Sequence, residues 1–333
     1  MNQKIIKHPE FLILSSENDR NLKSIADWLA YFKVNFFCIN TYNDVVSIYN
    51  YNMQTEEMIL LIDDKKDETI INLNKLKTVF IRNGELKFNV NKIPDTLLKQ
   101  NSVKDYFYSY IQNLDEFLAY FFQKKYNIIG LWGLALINKL IVLEESKKCG
   151  FKIPHTYLKT NFNHLNSNEN YISKTLAIPL EMETKTQKFL NYTARIENTS
   201  SSEEFMTSLI QKEIKKLFEI RVFVFLKKIY AMAIFSQMNE ESAVDCRVYN
   251  TENPYLDEPY TVPDSLKTKI FQLMKSLKLN TGSFDFIYTE DDEYYFLEVN
   301  PIGQFGYLGN VCGIDLNKVI AQEIIKYEGH QRI

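Results

Sequence analysis

Asp285-Phe-Ile-Tyr-Thr-Glu-Asp-Asp-Glu-Tyr-Tyr-Phe-Leu-Glu298-Val-Asn300-Pro-Ile-Gly-Gln304 is the most informative stretch of this chain. Two apolar and aromatic runs flank the acidic turn Glu290-Asp-Asp-Glu293, so the pattern predicts an antiparallel pair of strands, Gly282 to Tyr288 and Tyr294 to Val299. Glu298 and Asn300 stand two residues apart, and side chains at that spacing on a strand share a face. Asp285 on the first strand reaches the same face. Two carboxylates and a carboxamide converging there make a hard-oxygen site suited to Mg²⁺. A solvated strand face with alternating acids is the plainer alternative. Against it, Glu298 and Asn300 sit in an apolar run, and Pro301 and Gly303 turn the chain directly after them.

Upstream, the second half is strand-rich: Tyr171 to Leu176, Ala194 to Ile196, Leu209 to Ile214, Arg221 to Phe225 and Ile229 to Phe235. Phe223 to Ala231 reads as a hairpin turning at Lys227-Lys228. Helices are expected over Ile137 to Cys149, stopped by Gly150, over Pro263 to Leu277, and over Asp315 to Tyr327. The first hundred residues alternate strands and helices. Phe11 to Ser15, Val34 to Ile39, Met58 to Ile62 and Thr78 to Ile81 are the strands, and Asn18 to Lys33 carries a helical apolar stripe. That alternation predicts a small parallel α/β unit. Ser15-Ser16 stands where a dinucleotide-binding turn would need glycine, so that fingerprint is absent. Val103 to Tyr126 repeats aromatic and aliphatic residues at three- and four-residue spacing, the pattern of a core helix or the wall of a partner groove.

Bulk properties narrow the function. The chain has 333 residues, 45% apolar and 24% charged, an ordinary globular balance. A net charge of −3 gives no electrostatic case for nucleic acid. No run approaches a membrane span, and the N-terminus lacks the apolar core of a signal peptide. Cys38, Cys149, Cys246 and Cys312 are far apart, and no His or Cys spacing fits zinc. A soluble cytoplasmic protein with free thiols is expected.

Phe-Leu-Glu298-Val-Asn300-Pro, after a strand bearing Asp285, resembles the magnesium-binding motif of the ATP-grasp superfamily. Other similarities fall in the superfamily's order. Asn138-Lys139 precedes Gly150-Phe-Lys-Ile-Pro154-His-Thr156, Lys174 ends a β-like run, Gln211-Lys-Glu213-Ile214 resembles the adenine hinge, and Glu219-Ile-Arg221-Val-Phe-Val resembles the strand after it. The resemblance covers roughly residues 128–327. Within the superfamily, Glu-Val-Asn300-Pro-Ile-Gly303-Gln304-Phe305 is similar to the graspetide synthetases, which close ω-ester or ω-amide rings in ribosomally made peptides. Ser236-Gln237 followed by Asp245-Cys246-Arg247-Val-Tyr249, and Asn191-Tyr192-Thr193, are similar to the same branch, with Cys246 where it carries Trp. Overall length and Phe80-Ile-Arg82-Asn-Gly84 are similar to its grasp-with-spasm group.

The resemblance implies an α/β (α+β) ATP-grasp fold. It would have a Rossmann-like pre-ATP-grasp domain at 1–126, a central subdomain at 127–207 and a C-terminal antiparallel-sheet subdomain at 208–333. It implies a ligase using ATP and Mg²⁺, with Lys139 and Lys174 on the α- and β-phosphates. Gln211, Glu213 and Ile214 would lie at adenine, and Glu219 at ribose. Asp285, Glu298 and Asn300 would hold the metal. Arg221 and Arg247 would contact the γ-phosphate and acyl phosphate, and Asp245 would orient or deprotonate the nucleophile. Arg221 lies on an apolar strand and needs an anionic partner, which could equally be a protein acid. No glycine occurs in Thr175 to Leu190, where relatives carry a Gly-rich phosphate lid. The expected partner is a precursor peptide of leader and core, with the aromatic helix and Arg82 as candidate recognition elements, and the resemblance also admits a homodimer. A ligase adding an amino acid to a protein or small molecule is the alternative. A nucleotide-binding module without turnover is a third reading.

Overall fold

The computed structural model describes residues 5–90, 95–132, 137–176, 181–183, 188–190, 193–196, 204–238 and 256–327. The chain divides into two compact units, residues 1–135 with 315–333, and residues 136–314.

In the first unit the run Phe11–Ser15 is buried along its whole length, as expected of a strand covered on both faces. It pairs in parallel with Phe36–Asn40 and with Thr78–Ile81, and Asn127–Ile129 extends the sheet in parallel. Helix Leu22–Tyr31 buries Ile25 and Leu29. Helix Leu316–Lys326 packs in this unit too: Trp28 Nε1 donates to Asp315 Oδ2 at 2.9 Å, and the Lys318 ammonium lies 4.8 Å from the Trp28 ring centre.

Met58 to Ile62 belongs elsewhere than the sequence pattern suggests. It lies within Glu57–Asp63, the middle strand of a second sheet, antiparallel to Val45–Asn52 and Glu68–Asn72. The physical reason is the turn after Asn52, whose side-chain oxygen accepts the N–H groups of Gln54 and Thr55 at 2.9 and 3.2 Å. So short a connection can join only antiparallel neighbours. The aromatic helix spans Asn101–Lys125 and is core over its C-terminal half, burying Leu118, Phe121 and Phe122, while Tyr106, Tyr108 and Tyr110 are exposed. Arg82 is not offered to a peptide. It is buried, with Nε 2.9 Å from Asp19 Oδ2, and Asp19 also accepts the Asn21 N–H.

Besides the two-stranded pair of Glu181–Glu183 and Lys188–Leu190, the second unit holds two sheets. Thr156–Lys159, Ser208–Lys212, Tyr171–Lys174 and Ala194–Arg195 form one, in that order and antiparallel. The larger sheet runs Leu256–Pro259, Lys228–Phe235, Phe218–Phe225, Thr281–Tyr288, Tyr294–Asn300, all antiparallel. Its hairpin turns at Leu226-Lys227, one residue before the expected position, with Leu226 in the left-handed region at φ 55°. One face of this sheet presents Ile220, Val222, Val224, Phe284, Phe286, Phe296 and Val299 to helices Lys139–Lys148 and Asp264–Ser276. Those helices contribute Val142, Leu143, Ile270 and Leu273 to the core. The opposite face carries the polar residues described next.

Candidate active site

Phe218–Phe225 alternates, so sending Ile220, Val222 and Val224 into the core turns Glu219 and Arg221 to the other side. Pairing then sets a row of charges across three strands: Arg221 opposite Asp285, and Asp285 opposite Glu298. Asn300 lies in the next row, opposite Ser283. A bulge makes this possible. Asp285 pairs with Glu298 but Phe286 with Phe296, so Leu297 is the extra residue. Phe296 and Val299 are both buried in one core although three apart, which an unbroken strand could not do. The bulge keeps both in the core while Glu298 and Asn300 point away from it.

Arg221 grips Asp285 in a fork, Nε to Oδ1 at 2.8 Å and Nη2 to Oδ2 at 3.0 Å, so one partner that the sequence demands for this arginine is a protein carboxylate. Lys139 opens helix Lys139–Lys148, capped by Asn138, whose side chain accepts from Leu140 and Ile141 N–H. Its ammonium donates to Thr175 O at 3.1 Å and lies 3.7 Å from Glu298 Oε2. The two opposed carboxylates thus have a cation on each outer side. Asn300 Oδ1 accepts the Ile302 N–H at 3.0 Å, which starts the turn to Gly303. A Cβ at Gly303 would sit 1.9 Å from Ser283 Oγ and 2.7 Å from Ser283 N, so only glycine fits this turn. Phe305 then stacks on Phe223 at 4.8 Å.

On the smaller sheet Lys174 ends its strand, half-buried, opposite Leu209. Gln211 is fully buried in the adjoining strand. That strand stops at Lys212, so Glu213 and Ile214 lie beyond it. The Glu213 carboxylate accepts from Arg195 at 2.6 to 3.1 Å, and its N–H donates to Asn170 O at 2.8 Å. Glu219 Oε1 accepts from the buried Lys216 ammonium and from Ser236 Oγ. Asp245 and Arg247 lie outside the described residues, as do Cys246 and, within Thr175 to Leu190, residues 177–180 and 184–187.

Three groups escaped sequence reading. Lys216 adjoins Lys215 in the sequence, and only a Glu three residues on hints at its buried ion pair. Ser283 offers no motif. Asp257, on the edge strand Leu256–Pro259, lies on the charged face through its row with Ile234 and Glu219. It accepts the Tyr307 hydroxyl on Oδ2, while Oδ1 is buried without a partner. Burial pushes its pKa above the usual Asp value, with the Tyr307 hydrogen bond and Arg221 charge pulling it back.

No family model and no curated protein matches this chain at the sequence level. Solved structures do match. A Chryseobacterium gregarium RiPP-associated ATP-grasp ligase, solved with ADP, a leader and a core peptide, superposes at a TM-score of 0.74 with 17% identity. The match covers 98% of this chain and 100% of that one. The chain has the ATP-grasp fold. The macrocyclase MdnC of Microcystis aeruginosa, solved with its precursor peptide MdnA, aligns over 95% of this chain and 99% of its own at TM-score 0.67 and 21% identity. The ATP-grasp ligase PsnB, solved with a phosphomimetic variant of its minimal precursor, Mg and ADP, aligns over 96% and 98% at TM-score 0.67 and 13% identity. In this ATP-grasp fold the charged face of the larger sheet and the Lys174 face of the smaller one are the candidate site.

Proposed function

We propose that the chain is an ATP-dependent carboxylate ligase that phosphorylates Asp or Glu side chains of a ribosomally made precursor peptide. It then closes ester or amide macrocycles with Thr, Ser or Lys. The observation that carries this reading is the Arg221, Asp285, Glu298 row with Lys139 beside it. It is a compact array of hard oxygens and cations, built by a bulge, in the fold shared with peptide-bound ATP-grasp ligases.

The donor set fits Mg²⁺. Like charges placed directly opposite on neighbouring strands repel, and Asp285 and Glu298 are held in that arrangement with Asn300 one row away. Asp285, Glu298 and Asn300 would hold the ion, which would supply neutralisation of phosphate charge. The chain's own residues do the rest. Lys139 and Lys174 offer compact cations to the α- and β-phosphates. Glu213 and Ile214 bring backbone to adenine, supported by an Ile214 N–H that donates to no hydrogen bond among the described residues. Glu219 takes the ribose, and its Oε1 is already oriented by Lys216. Arg221 and Arg247 steady the transferred phosphoryl group, the Arg221 fork being shared with Asp285.

The peptide carboxylate oxygen attacks the γ-phosphorus and ADP leaves, giving an acyl phosphate. A hydroxyl or amine of the same peptide then attacks the acyl carbon, and inorganic phosphate leaves. Asp245 orients that nucleophile and takes its proton. By order along the chain, residues 1–126 are assigned to the pre-ATP-grasp part, 127–207 to the central and 208–333 to the C-terminal subdomain. In space, helix Leu316–Lys326 sits with the first of these. A cytoplasmic setting suits Cys38, Cys149 and Cys312, all free thiols.

The test is the intact mass of a candidate precursor after incubation with the protein, ATP and Mg²⁺. Loss of one water per ring, abolished by E298Q, is the expected result. An unchanged peptide mass with continuing ATP turnover would overturn the macrocyclase reading and favour a ligase adding free amino acids.

A further inference from the structure

The carboxylates of the acidic row are already engaged by the chain's own cations. Arg221 takes both oxygens of Asp285, Nε on Oδ1 at 2.8 Å and Nη2 on Oδ2 at 3.0 Å, and the two side chains are only 28% and 19% exposed. Lys139 stands 3.7 Å from Glu298 Oε2. Asn300 Oδ1 accepts the Ile302 N–H at 3.0 Å. Two negative and two positive side chains thus share one place on the sheet, and their formal charges cancel. A divalent cation arriving alone gains the attraction of two carboxylates but meets the repulsion of the two cations directly behind them.

The two cations do not hold equally. A guanidinium fork makes two charge-assisted bonds to one carboxylate, whereas a long and exposed ammonium pair contributes little. Releasing Asp285 is therefore the larger cost. Arg221 and Asp285 are directly paired on two inner strands of the larger sheet, so neither backbone can draw away, and only the arginine side chain can turn aside. A guanidinium that leaves a carboxylate needs another anion in its place. Nucleotide phosphates are such anions, and they arrive together with the metal.

We propose that Arg221 and Lys139 are place-holders: they withhold Asp285 and Glu298 from a free divalent cation and yield them to a metal–nucleotide complex, whose phosphates take over both cations. The inference rests on the ATP-ligase reading above and adds a rule of entry to it. Metal and nucleotide then bind cooperatively, each strengthening the other by the same factor. Metal alone does not part Arg221 from the sheet before phosphates are there to receive it.

The experiment titrates the full chain with Mn²⁺ alone, the unbound ion being counted by its paramagnetic resonance signal, and separately with ATP in the presence of chelator. R221Q removes both the charge and the fork. It should bind bare Mn²⁺ about 10-fold tighter than wild type, the worth of one charge-assisted hydrogen bond, and bind metal-free ATP more weakly. A merely damaged sheet would weaken both, so the opposite signs are the signature. K139Q should gain about 2-fold for Mn²⁺, in keeping with an exposed pair. R221K keeps the charge and loses the fork, so it should gain part of the R221Q effect, and it stands in should R221Q fail to fold. Adding E298Q to R221Q should abolish the gain, which locates it in this row. Mn²⁺ affinity that does not rise in R221Q or R221K, or a gain that survives E298Q, would overturn the place-holder role and leave the ligase reading intact. A wild-type chain that binds neither ATP alone nor ATP with Mn²⁺ would overturn both.

Discussion

Replacing Glu298 by glutamine separates a metal ligand from a structural acid, because the structure assigns the two roles different magnitudes. The only contact that holds the Glu298 carboxylate among the described residues is Lys139 at 3.7 Å, with the two side chains 31% and 35% exposed. A pair so exposed and so long stabilises by about 0.5 kcal/mol at most. Relief of repulsion from Asp285, directly opposite, offsets part of that. For a unit of about 180 residues, unfolding entropy of about 2.1 cal/mol/K per residue converts 1 kcal/mol into roughly 2.5 °C. E298Q without ligand should therefore melt within about 1 °C of wild type. With ATP and Mg²⁺ at about 100 times Kd, linkage stabilises the wild type by ~2.7 kcal/mol, roughly 7 °C. Removing a metal ligand weakens binding by about 100-fold, the upper end of what disturbing even a ligand's partner does. That leaves about 0.4 kcal/mol, a shift near 1 °C. Thermal unfolding of both proteins, with and without ATP and with Mg²⁺ or chelator, reads all these numbers. A ligand-free Tm lowered by more than about 5 °C, or equal Mg²⁺-dependent shifts in both proteins, would refute the reasoning.

Three further outcomes follow from the same geometry. R221K keeps the charge but not the fork on Asp285. ATP turnover with peptide should fall on the order of 100-fold while Tm drops only a few degrees, and turnover within about 3-fold of wild type would exclude a role at the transferred phosphoryl group. Asp257 has its pKa raised by burial, so folding favours its neutral form. That stability is complete below the ordinary Asp value and is lost as pH rises through the raised one. D257N, neutral throughout, should then melt above wild type at pH 7 to 8, with the gap closing towards about pH 4. A gap independent of pH, measured by calorimetry, would contradict this. G303A forces a Cβ against Ser283 backbone and should lose about 1–3 kcal/mol. S283G, which removes Oγ and Cβ but not the backbone nitrogen, should restore only part of that Tm when combined with it.

The residues of the candidate site were more legible in the sequence than the backbone that brings them together. Glu298 and Asn300 declare themselves because both are polar in an apolar strand, two apart, ahead of a proline. The same two-residue rule, carried back to Phe296, would put that ring beside Glu298 on the charged face, and there it fails. The bulge at Leu297 separates them, and nothing in Tyr-Tyr-Phe-Leu-Glu marks it, because a bulge is a property of the pairing and not of one strand. Arg221 shows a second limit. Its need for an anion follows from its apolar neighbours, but a strand cannot say whether the register will set Asp285 or a ligand opposite. The structure sets Asp285 there, and under the proposed function a nucleotide would have to compete for the guanidinium. The placement of Met58 to Ile62 failed for a related reason: periodicity reports burial on a face, whereas sheet membership is decided by turns, here by one asparagine side chain after Val45–Asn52.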